Sequence, residues 1–156
     1  MFVHLPINHP LRPLYRFLAA LTGLYVLLFG IVGLVDSSGH APLSRDHIVA
    51  LGLRTNMAFS VLSIVVGLVV VAAAVIGRNV DFAVFLFGGL VFLVSGMAML
   101  VVLQTSLNVL NFTVATCVVS FLIGLVLVTA GLYGRSGTPE QRQAVERDRH
   151  REPAPA

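Results

Sequence analysis

Apolar residues in this chain are gathered into four long, charge-free stretches, at 17–35, 57–77, 82–103 and 112–133. They contain 19, 21, 22 and 22 residues. An α-helix rises about 1.5 Å per residue, so about 20 residues cross the ~30 Å hydrocarbon core of a bilayer. Each stretch therefore predicts a membrane-spanning helix, and four in succession fit neither buried strands nor the core helices of a soluble domain. The predicted architecture is an all-α membrane protein: a cytoplasmic lead-in over 1–16, a four-helix transmembrane domain over 17–133, and a polar cytoplasmic tail over 134–156, partly disordered.

The polar segments are short. Pro6, Pro10 and Pro13 disfavour a continuous helix in the lead-in, which is expected to be extended, with Tyr15 at headgroup level. The longest connection, 36–56, predicts a short surface helix through RDHIVALGL, capped by Ser44. The RNVD connection at 78–81 makes the second and third helices antiparallel neighbours and places Arg78 three residues from Asp81, spaced for a local pair. The connection QTSLNVLN at 104–111 is polar but uncharged. Thr138-Pro139-Glu140-Gln141 resembles a capping box that opens a surface helix to about Arg149, and the final EPAPA is expected to be disordered.

One stretch is written twice. SIVVGLVVVAAAVIGR (63–78) returns as SFLIGLVLVTAGLYGR (120–135), with eight of sixteen positions identical at an offset of 57. A fainter echo links the first and third helices at an offset of 66, through Gly23/Gly89, Leu24/Leu90, Leu27/Leu93 and Gly30/Gly96. The repeated unit is then a helical hairpin, and self-similarity of this kind predicts duplication. A two-helix unit begins and ends on one side, so its copies are expected about a pseudo-two-fold axis along the membrane normal. The expected fold is an antiparallel four-helix transmembrane bundle from a duplicated helical hairpin. In lipid, close backbone approach at small residues supplies much of helix association. The predicted packing positions are Gly23, Gly30, Ser63, Gly67, Gly89, Gly96, Ser120, Gly124 and Gly131, with Ala74 beside them.

Composition sharpens this picture. The chain is 57% hydrophobic and only 11% charged, with mean hydropathy +0.93. Its ten basic residues are all arginine. Arg12, Arg16, Arg78, Arg135, Arg142, Arg147, Arg149 and Arg151 fall on one predicted side, and only Arg45 and Arg54 on the other. The positive-inside rule then places both termini in the cytoplasm, with the plasma membrane as the expected location. Arg12, Arg16, Arg78 and Arg135 are the expected headgroup contacts. The basic pI is read as a topology signal, with no nucleic-acid partner, because four arginines and four carboxylates balance in the tail. Arg12, Arg16 and the small residues Gly39-His40-Ala41 resemble parts of a signal peptide. The first apolar run exceeds the usual h-region of about 7–15 residues and is expected to be retained.

Together the stretches NHPLRPLYR, LGLRTN, VIGRNVD, GMAMLVVLQTSLN and LVTAGLYGR resemble the family called domain of unknown function 4383, small actinobacterial membrane proteins. The resemblance covers roughly 7–135. It implies four membrane helices and brings no activity and no catalytic residue.

Chemistry is sparse. The apolar runs carry no ionisable group of the kind that ion-coupled transporters use. All five histidines lie outside the runs, so no haem is expected. Cys117 is the only cysteine, and a buried apolar role is expected for it. Asp36, His40, Asp46 and His47 match no standard metal site and read as solvated loop residues. Ser60, Ser63, Ser95 and Ser120 have no adjacent base. The expectation is a non-enzymatic protein without cofactor or metal, a structural or accessory subunit whose partners are the lipid bilayer and other membrane subunits or itself. The alternative is a pore or carrier for a small neutral solute.

Overall fold

The computed structural model describes residues 9–137, with Gln143 and Arg147 beyond them. Four helices dominate: α1 (Arg12–Asp36), α2 (Met57–Ile76), α3 (Val80–Val102) and α4 (Val114–Tyr133). All four are long and apolar enough to cross a membrane. The only strands among the described residues, β1 (Val49–Ala50) and β2 (Leu53–Arg54), form a small antiparallel hairpin.

Three expectations change. First, α1 begins at Arg12, inside the predicted lead-in. Pro13 falls in the first turn, where a helix has no use for the missing N–H. Second, the 36–56 connection forms the hairpin and no surface helix. Leu51 and Gly52 both take positive φ, 47° and 85°, which suits the two-residue turn of a β-hairpin. Ser44 caps nothing. Its hydroxyl is the one buried polar side-chain atom without a partner among the described residues. Third, Arg78 and Asp81 do not pair. Arg78 takes a left-handed φ of 54° and is exposed, whereas Asp81 turns inward and meets Arg12. The capping box at 138–141, the surface helix and the EPAPA end lie outside the described residues, except that Gln143 and Arg147 are helical.

Local chemistry sets the helix ends. Asn56 caps α2 by accepting from the Phe59 N–H at 2.9 Å, and Thr113 with Thr116 forms a capping box on α4. α2 stops at Gly77 (φ 64°), whose N–H still bonds the Ala73 carbonyl. Arg78 and Asn79 continue with positive φ and reverse the chain within one tight turn.

α1 packs along α2, and α3 along α4, far more extensively than α1 meets α4 or α2 meets α3. The short 78–81 turn thus joins helices that touch only thinly. Small residues decide which faces close. A Cβ on Gly67 would lie 2.6 Å from the Leu27 amide nitrogen, and one on Gly30 would lie 2.7 Å from the Ile64 nitrogen and the Ser60 oxygen. In the other pair, a Cβ on Gly89 would lie 2.6 Å from the Val128 nitrogen, and one on Gly131 would lie 2.7 Å from the Leu86 nitrogen. At these positions the backbones are too close for any side chain. Both pairs run antiparallel, since partners recede along one helix as they advance along the other.

Candidate functional site: an arginine-held helix end and an apolar cleft

Two arginines one turn apart on α1 engage the ends of the other three helices. Arg12 pairs with the Asp81 carboxylate at 3.0 Å, and its Nε donates to the Gly134 carbonyl just past α4 at 2.8 Å. Arg16 donates from Nε to the Ala74 carbonyl at 2.5 Å and from its terminal nitrogen to Val75 at 2.9 Å. The last carbonyls of a helix lack intrahelical partners and carry the negative end of its dipole, so a guanidinium suits them. Asp81, in the first turn of α3, is placed where a carboxylate favours the helix. It is 1% exposed; without Arg12 its charge would be buried unpaired.

The same end carries further links. Asn79 and Ser136 exchange backbone–amide bonds of 3.0 and 2.7 Å, tying the α2–α3 turn to the segment after α4. The rings of Tyr15 and Tyr133 stack at 5.2 Å, with the His9 ring edge-on to Tyr133 at 5.1 Å. Of the four expected headgroup arginines, Arg12 and Arg16 are therefore half-buried and turned onto protein. Arg135 is half-buried and only Arg78 is exposed.

At the opposite end three buried asparagines organise the connections. Asn56 Nδ2 donates to the Val109 carbonyl at 2.8 Å. Asn111 Nδ2 donates to Asp46 and Thr55 at 2.9 and 3.0 Å. Asn108 donates to Phe112 and accepts from its N–H. Arg45 also bonds the Ser106 carbonyl. Buried polar groups need such partners; Asn56 and Asn111 reach residues 53 and 56 positions away, whereas Asn108 holds its own loop together. Reading 104–111 as a plain polar loop missed these roles, although asparagines bounding two apolar runs were a visible signal. Among the described residues no three histidine, cysteine or acidic side chains gather, so Asp36, His40, Asp46 and His47 form no cluster.

Between α2 and α3, where packing is thin, an apolar cleft of about 560 Å³ opens. Its walls are Leu62, Val65 and Val69 from α2 and Val84, Phe87, Val91 and Met99 from α3, with Val26 and Ser120 reaching it from α1 and α4. Val65, Phe87 and Val91 are more than half exposed, so the cleft faces outward, toward the surroundings of the helices. A Cβ on Gly88 would meet nothing within 4 Å, which makes it the one glycine within the four helices that borders open space and no neighbour. The cleft was not legible in the sequence, because it depends on how far α2 stands from α3 in the fold.

The predicted packing residues sort clearly. Gly23, Gly30, Gly67, Gly89, Gly96, Gly124 and Gly131 all face a neighbouring helix within 3.0 Å of an added Cβ. Ser63 and Ser120 are buried and also border the cleft. Gly33 joins them, facing Ser60 and Thr55; it was missed because it has no counterpart in the repeat. Comparisons with known protein families, curated proteins and solved structures find no match for this chain.

Proposed function

We propose that the chain is a non-catalytic, multi-pass plasma-membrane protein with both termini in the cytoplasm, serving as a structural or accessory subunit of a membrane assembly. The observation that carries this reading is the placement of polar groups. They are concentrated at the two ends of the helices, where they bond helix termini and connections. Between the ends, Ser63 turns its hydroxyl onto the Phe59 carbonyl of its own helix at 2.8 Å. The cleft is walled almost wholly by apolar side chains. A polar solute would find no continuous row of partners along such a path.

The bundle is proposed to be a duplicated hairpin, supported by matching contacts. Gly67 sits on Leu27 as Gly124 sits on Leu93. Gly23 faces Val71 as Gly89 faces Val128. Gly30 faces Ile64 and Ser60 as Gly96 faces Phe121 and Cys117. Every one of these correspondences keeps the sequence offsets of 66 and 57. The family resemblance seen in the sequence belongs to this proposal and brings no activity with it.

Affinity purification in mild detergent tests the role. Copurification of one dominant membrane partner, or a defined homo-oligomer, supports a subunit. Solute flux through liposomes containing the purified protein alone would overturn it in favour of a pore.

A further inference from the structure

We propose that the α2–α3 cleft holds one acyl chain of an anionic phospholipid whose phosphate rests on Arg78. The inference rests on the reading of the helices as membrane spans, and it is independent of any protein partner.

Shape selects the occupant. From Val84 to Met99 the cleft follows α3 for about 22 Å. Its volume of about 560 Å³ is drawn out along that length as an elongated groove. A single extended hydrocarbon chain can lie along such a groove, and a second copy's helix is the competing occupant. The walls are branched and aromatic side chains with no neighbour across the gap, so an empty cleft forfeits dispersion contacts on both faces. Apolar burial by itself gives little advantage inside a bilayer, and shape and packing decide what stays.

Charge selects the headgroup. The two helices that wall the cleft are joined by the turn bearing Arg78. Asp81, the one carboxylate of that turn, is already held by Arg12 at 3.0 Å. Arg78 is thus exposed and uncompensated in the turn, six residues before Val84, the first cleft residue of α3. A guanidinium so placed matches a lipid phosphate.

Gly88 offers a clean way to close the cleft, because a side chain there enters open space. The full chain is extracted in mild detergent, supplied with an equal mixture of phosphatidylglycerol and phosphatidylcholine, and weighed by native mass spectrometry. The natural sequence is expected to retain one phosphatidylglycerol. Gly88→Phe is expected to lose it. Val94→Phe, on an exposed position of α3 outside the cleft, is expected to keep it. Arg78→Gln is expected to retain either lipid equally. Melting temperature is recorded for each variant, and Gly88→Leu, a smaller filling, replaces Gly88→Phe if the latter melts lower. Retention of the lipid by the cleft-filled variant overturns the proposal. So does a dimer that Gly88→Phe splits with lipid content unchanged, since a second copy would then be the occupant. Alkaline extraction separates the two readings: a chain released into the aqueous fraction refutes the membrane reading as well, while a membrane-retained chain without phospholipid refutes the cleft alone.

Discussion

At the residue scale the Arg12–Asp81 pair carries the greatest consequence. The carboxylate is buried and the guanidinium side chain is 24% exposed, so the two partners are not equivalent. Removing Arg12 strands a buried charge, which typically costs about 3–5 kcal/mol. Neutralising Asp81 leaves an arginine that can still reach water or headgroups along its flexible stem. Arg12→Ala is therefore expected to lower the melting temperature in detergent more than Asp81→Asn, and Arg78→Ala is expected to leave it nearly unchanged. Equal effects of Arg12→Ala and Arg78→Ala would show that the buried pair contributes no stability. Asn56 acts similarly on a smaller scale. Its carbonyl caps α2 and its amide holds the Val109 carbonyl. Asn56→Ala removes both, with an expected loss of about 1–3 kcal/mol, read from the same melting curves.

At the element scale, stability lies in the faces where helices approach through glycine. The sequence treats Gly67 and Gly124 as equivalents, but their surroundings differ. An added Cβ on Gly67 meets the Leu27 backbone at 2.6 Å, while one on Gly124 meets first the Leu93 side chain, at 2.7 Å. A side chain can yield where a backbone cannot. Gly67→Ala is thus expected to cost more than Gly124→Ala, both within about 1–3 kcal/mol. Gly88→Ala, with open space around it, is expected to be neutral or to stabilise α3 by up to about 1 kcal/mol through helix propensity. Thermal unfolding of the three variants checks the order, and a destabilised Gly88→Ala would mean that α2 closes on α3 more tightly than the cleft allows. The periodic rows of small residues were legible because helical spacing is local. The difference between Gly88 and its neighbours was not, since it depends on how far α2 stands from α3.

At the scale of the whole molecule, four helices long and apolar enough to span a membrane fit a small multi-pass membrane protein. Their joined ends separate an arginine-bearing side from an asparagine-bearing side. The proposed orientation puts the arginine side in the cytoplasm. Single cysteines at Ser38 and Ser136, in a Cys117→Ala background, are expected to react with an impermeant thiol reagent in intact cells at Ser38 only. Labelling at Ser136 alone would invert the orientation.

The number of helices, their approximate limits and the small-residue rows could be read from the order of residues in the sequence. Run length and helical period are properties of consecutive residues and need no partner. It misjudged the start of α1, because Pro13 breaks a helix interior and suits a first turn. It misjudged the 36–56 connection as well, where positive φ at Leu51 and Gly52 overrode the apolar pattern. Tertiary structure alone decided that Asp81 belongs to Arg12, 69 residues away, and not to Arg78 three residues away. It alone decided that α1 closes on α2 and α3 on α4, leaving a cleft between α2 and α3. Those outcomes turn on which faces meet after the chain folds back. A one-dimensional pattern records which residues share a face, but not which face finds a neighbour.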